Sequence, residues 1–132
     1  MPEEILLDTA PIIAHLRGKL DIVAETAPGT LLFTSLFTFG ELQKGIQRAD
    51  NKVRENDKVS AFLDQVAILL PDTKTAETYG KITAQLDRDG NRIPENDAWI
   101  AAVAIECGMT LATRDAHFGK VDDLQVLQWN WD

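Results

Sequence analysis

The feature that most limits the fold of this chain is a regular exchange. Short, uninterrupted apolar runs alternate with longer segments of helical periodicity. That pattern implies an α/β fold with a mostly parallel central sheet flanked by helices. Ile5–Asp8, Leu31–Ser35, Ala67–Leu70, Met109–Thr113 and Leu124–Trp129 read as strands. They are continuously apolar, as expected when helices cover both faces of a sheet. Helices are expected over Pro11–Arg17, Leu20–Thr26, Thr38–Ala49, Val53–Val66, Thr75–Asp89 and Asn96–Glu106. Pro11 suits a first helical turn, and Gly108 suits the left-handed residue that ends a helix. The 132 residues are read as one domain, with no repeat and no linker.

Composition narrows the function classes. Apolar residues make up 45% and charged residues 26%, which suits a packed core and argues against disorder. The single cysteine, Cys107, excludes an internal disulfide and a cysteine zinc cage. It lies in the apolar run Ala101–Cys107 and reads as a small core hydrophobe. The longest apolar stretch, Leu31–Phe39, is too short to span a bilayer. Glu3 and Glu4 stand where a signal peptide would be basic, so a cytoplasmic protein without a membrane partner is expected. The net charge of −8 is unlike that of an ordinary nucleic-acid binder. It becomes compatible with one if carboxylates converge on metal ions that in turn attract phosphates. The basic run Lys44, Arg48, Lys52, Arg54 and Lys58 is interleaved with Asp50, Glu55 and Asp57 and reads first as a solvated helix face.

The acids are placed informatively. Asp8 closes the first strand, and Glu41 falls in the first expected turn of the helix after the second. Asp97 opens the Ala-rich helix, and Asp115 lies just past the strand that ends at Thr113. In a parallel sheet, helices start at the edge where strands end, so these acids gather at one pole. Singly, each suits a helix start or a turn. Together they repel one another, and a cation relieves that repulsion. A set of oxygen donors alone points to a hard ion such as Mg²⁺ or Mn²⁺.

The order of the acids and the residues around them resemble the PIN-domain ribonucleases, and among them the VapC-like toxins. The motifs are Leu6-Leu7-Asp8-Thr9, Thr34-Ser35-Leu36-Phe37-Thr38-Phe39-Gly40-Glu41-Leu42, Pro94-Glu95-Asn96-Asp97-Ala98-Trp99-Ile100-Ala101-Ala102 and Leu111-Ala112-Thr113-Arg114-Asp115-Ala116-His117-Phe118. One departure is visible: Ala10 and Pro11 follow Asp8-Thr9, where the family usually carries a polar residue. The resemblance implies a three-layer PIN fold. It implies Asp8, Asp97 and Asp115 as metal ligands, with Glu41 binding directly or through water. Thr113 and Ser35 become hydroxyl partners of a carboxylate, water or phosphate, and Arg114 becomes a candidate phosphate contact. The implied reaction is Mg²⁺-dependent hydrolysis of an RNA phosphodiester, with Mn²⁺ able to substitute, leaving 5′-phosphate and 3′-hydroxyl ends. The implied partners are a second copy of the chain, with Trp99, Phe62 and Tyr79 as candidate interface residues, and an antitoxin protein. The antitoxin's tail would place an Arg or Lys among the acids and pack beside Ile12, Ile13 and Leu16.

Three rivals stand beside this reading. A metal-free ribonuclease would pair His15 with His117. A phospho-receiver domain would use Asp72 after the third strand, but it also needs clustered acids at the first strand and a Lys after a later one, neither of which is found. A non-catalytic acidic module would bind a partner without cleaving RNA.

Overall fold

The computed structural model describes residues 3–132. The chain runs β1 (Glu4–Leu7), α1 (Thr9–Leu16), α2 (Ile22–Glu25), β2 (Leu31–Ser35), α3 (Leu36–Gln47), α4 (Lys52–Leu63), β3 (Ala67–Leu69), α5 (Thr73–Asp89), α6 (Glu95–Glu106), β4 (Thr110–Thr113), a 3₁₀ turn (Ala116–Lys120) and β5 (Val126–Gln128). The strands form one sheet in the order β3-β2-β1-β4-β5, and every neighbouring pair is parallel.

Side-chain alternation along β1 divides the core into two layers. Leu6 points to one face and packs with Leu111, Ile100 of α6, and Ile82 and Leu86 of α5. Ile5 and Leu7 point to the other face, toward Ile12 of α1, Leu42 and Ile46 of α3, and Val59 and Phe62 of α4. Helices thus cover both faces, which explains why the strands read as unbroken apolar runs. Alanines at 98, 101, 102 and 104 are all buried, so α6 approaches the layers around it closely.

All the expected strands and helices are present, with shifted ends. The helix expected from Thr38 begins at Leu36, directly after β2, because the Ser35 side chain accepts a hydrogen bond from Thr38 N and caps it. Glu41 therefore sits in the second turn of α3, not the first. The helix expected from Thr75 begins at Thr73. Asp72 and Thr75 close a reciprocal capping box one residue earlier. The 3₁₀ turn was not expected from the sequence.

The topology fixes where a ligand belongs. From β1 the chain moves to β2 on one side, while β4 lies against β1 on the other. The strand order reverses between β1 and β4, and the crevice beyond their carboxyl ends is the expected binding position.

Candidate active site

Asp8 follows β1 directly, and its backbone N–H bonds Ala112 O of β4 at 3.0 Å. It occupies the cap position of α1 yet makes no side-chain capping bond. Its carboxylate turns instead to the neighbouring strand, where Oδ2 accepts from Thr113 Oγ1 at 2.8 Å. Asp8 is 6% exposed. That burial pushes its pKa up to about 6, against the lowering effect of the Thr113 hydroxyl, and the charges of Asp97 and Glu41 add to the rise. The oxygen of the fully buried Thr113 also accepts from Asp115 N at 3.0 Å. One hydroxyl thereby orients the first acid and fixes the backbone of the last.

Asp97 projects from the first turn of α6 toward the loop after β4. His117 stands between the acids from these two elements. Its Nε2 lies 2.7 Å from Asp97 Oδ2 and its Nδ1 lies 3.2 Å from Asp115 Oδ1. Burial raises the pKa of Asp97, and the contact with His117 offsets part of that rise. Asp97, Asp115 and His117 each offer one donor atom, all within 4.8 Å of one another.

Glu41 of α3 is held from two other helices, α1 and α6. Its Oε1 accepts from Thr9 Oγ1 and from Asn96 Nδ2, both at 2.9 Å, and the Thr9 hydroxyl lies 3.2 Å from that of Thr38. Glu41 shares the electrostatic field of Asp8 and Asp97. Among the described residues, however, the compact trio at ligand spacing includes neither Asp8 nor Glu41.

The remaining sequence candidates fall as follows. Ser35 is fully buried, and its hydroxyl is engaged with Thr38 N rather than with a carboxylate. The Arg114 guanidinium stacks 4.7 Å over the ring of Trp131. His15 Nδ1 accepts from Ile22 N, and its ring packs on Phe62, so no His15–His117 pair exists. Asp72 is taken up by the cap of α5, where the Thr75 backbone N–H lowers its pKa. Phe62 and Ile12 belong to the core and are removed as interface candidates. The sequence offered His117 only as the partner of His15 in a metal-free site, and Thr9 and Asn96 not at all as partners of Glu41. All three lie within the quoted motifs, beside the acids they serve.

Carboxylates with one imidazole, among them Asp8 and Asp97 whose pKa values are raised by burial and by neighbouring acids, fit a divalent cation by donor chemistry. Beside Glu41, a groove of about 650 Å³ runs between α1, α3 and α4. Ile13, Leu16, Leu42 and Val59 line it, and Arg17, Arg48, Arg54 and Lys58 lie along its walls.

A parallel sheet in this strand order, with acids converging at its switch point, defines a class, and residues 5–124 match the family described as the PIN domain. The chain belongs to the PIN-domain family. It is 30% identical over 129 residues to Ribonuclease VapC1 of Haemophilus influenzae, across 94% of this chain and 96% of that one. The structure of VapBC-1 from nontypeable Haemophilus influenzae superimposes with a TM-score of 0.86 at 30% identity, covering 96% of this chain and 98% of that one. VapBC2 from Rickettsia felis, bound to a DNA fragment from their promoter, gives 0.89 at 25% identity, over 98% and 99% of the two chains. Within the PIN-domain family, these relatives place the chain with the VapC group. No helix among the described residues is long and apolar enough to cross a membrane.

Proposed function

We propose that this chain is a divalent-metal-dependent endoribonuclease, the toxin of a toxin–antitoxin pair, with Asp8, Glu41, Asp97 and Asp115 as its catalytic carboxylates. The observation that carries the reading is the electrostatic convergence of these acids, from four separate places in the sequence, at the β1/β4 switch point. It is supported by likeness to a ribonuclease over 94% of the chain.

Asp8, Asp97 and Asp115 would hold the ion, and Glu41 would join directly or through water. Mg²⁺ suits the oxygen donors, and Mn²⁺ is expected to substitute. When bound, the ion supplies Lewis acidity and a water of lowered pKa beside the scissile phosphate. The chain's own residues do the positioning. Thr113 sets the rotation of the Asp8 carboxylate. Thr9 and Asn96 both use Oε1 of Glu41, which leaves Oε2 to orient a water or receive its proton. RNA cleavage should require Mg²⁺ or Mn²⁺, stop with EDTA and leave 5′-phosphate ends. Asp97→Asn should lower the rate by at least about 100-fold with an unchanged circular-dichroism spectrum. Full cleavage in EDTA would defeat the proposal.

The partner follows from the groove. An antitoxin tail with apolar residues would lie against Ile13 and Leu16 and carry an Arg or Lys past Glu41 to the acids. Ile12, wholly buried, takes no part. Mn²⁺ titrated into the complex should weaken the partner's affinity. An affinity indifferent to both Mn²⁺ and Asp8→Ala would contradict this mode of inhibition.

A homodimer is part of the same reading. Trp99 stacks between Phe37 and Tyr79, at 5.5 and 3.9 Å, and all three rings are only partly buried. The exposed Leu36 and Leu70 each follow directly on the paired residues Ser35 and Leu69, so they leave the sheet side by side.

A further inference from the structure

His117 lies among the acids, and both of its ring nitrogens face them. Nε2 is 2.7 Å from Asp97 of α6, and Nδ1 is 3.2 Å from Asp115 of the loop after β4. An ordinary surface ion pair engages one nitrogen of a mobile ring. This ring is 22% exposed and packs at 4.8 Å on Phe118, which is fully buried and pins the 3₁₀ turn. Its partner Asp97 is covered to a similar degree, at 19% exposed. Among the described residues, Asp97, Asp115 and His117 are the one group of three His, Cys, Asp or Glu side chains whose donor atoms reach the spacing of ligands around a single ion.

We propose that His117 is a nitrogen ligand to the ion held by Asp97 and Asp115, and that it biases the site toward Mn²⁺ over Mg²⁺. The proposal rests on the metal-dependent reading above. Imidazole strengthens binding of first-row transition ions, whereas Mg²⁺ favours oxygen donors and keeps its waters. In the metal-free chain the same ring bridges the two carboxylates and keeps the donors converged, so binding requires little rearrangement.

The chain has two histidines. The other, His15, is committed to Ile22 N and Phe62. An imidazole signal that disappears when His117 is replaced and His15 is kept therefore reports His117. The experiment loads protein carrying no histidine tag with one equivalent of Mn²⁺ and records electron-spin-echo modulation. Modulation from a coordinated imidazole nitrogen is expected, and it should vanish in His117→Ala and His117→Gln. In both variants the Mn²⁺ Kd should rise by about tenfold or more, while the Mg²⁺ Kd, read by displacement, changes less. Bound Mn²⁺ without nitrogen modulation in the unaltered protein overturns the role of His117 and leaves the carboxylate centre standing. No protein-bound Mn²⁺ at all overturns both. The unaltered protein alone can overturn the role of His117, and either of the two variants that folds assigns the nitrogen.

Discussion

A buried carboxylate with a raised pKa stores free energy that metal binding releases. Asp8 titrates near 6 in the folded chain against an ordinary 3.8. Between those values the folded state binds the proton and the unfolded state does not. The metal-free protein is therefore favoured below about pH 4 and loses that contribution as pH rises through about 6. The full penalty is about 3 kcal/mol, at about 1.4 kcal/mol per pH unit. Asp8→Asn has no such titration. In EDTA, its stability relative to the unaltered chain should grow by up to about 3 kcal/mol from about pH 4 to about pH 7, measured by urea unfolding. A difference that stays constant with pH would mean that Asp8 ionises without penalty. The acids were legible in the sequence because four of them fall at one pole of a parallel sheet, although each alone suits a helix start or a turn. Their partners were not. That Thr113 reaches Asp8 depends on the register pairing Leu7 with Ala112, which no local pattern encodes. His117 was passed over for a related reason. Its significance lies in Asp97, twenty residues away, and a helix must first bring the two together.

Element ends are decided by single hydrogen bonds. Hydrophobic periodicity located every strand and helix, because burial of a face is a collective property of many residues. The first turn of a helix depends instead on one cap. Ser35 starts α3 while still paired in β2, so the helix begins two residues earlier than expected and Glu41 falls in its second turn, where it meets Thr9 and Asn96. At α5 the cap was also the feature that imitated another function. Asp72 stands where a phospho-receiver aspartate would, but its carboxylate is spent on Thr75. Asp72→Ala should lower the urea midpoint of unfolding, the usual consequence of removing a cap. Metal affinity and RNA cleavage should stay as they were. Lost cleavage in a folded Asp72→Ala protein would mean that Asp72 does more than cap α5.

At the scale of the molecule, exposed Leu36 and Leu70 leave the sheet side by side, and Phe37 of the aromatic stack follows Leu36 in the chain. Leu36, Leu70 and the Phe37–Trp99–Tyr79 stack are the groups a symmetric partner would cover, and sedimentation at micromolar concentration should give a dimer. Leu70→Lys, at a side chain 72% exposed, should shift it toward monomer without unfolding it. A monomer in the unaltered protein would remove the dimer from the proposal. The fold class was legible at this scale because parallel strands need crossover helices, and their alternation is written along the whole chain. The strand order was not, because it is settled only when β4 inserts beside β1. That insertion has a temporal consequence. The hydroxyl of Thr113 and the carboxylate it orients are 105 residues apart in the chain. At about 5–20 residues per second, the ribosome spends about 5–20 s between making one and making the other. Throughout that interval β1 has no β4 beside it, and the last acid does not yet exist. On the proposed site, a growing chain therefore cannot assemble the centre before β4 and the segment that follows it have been made.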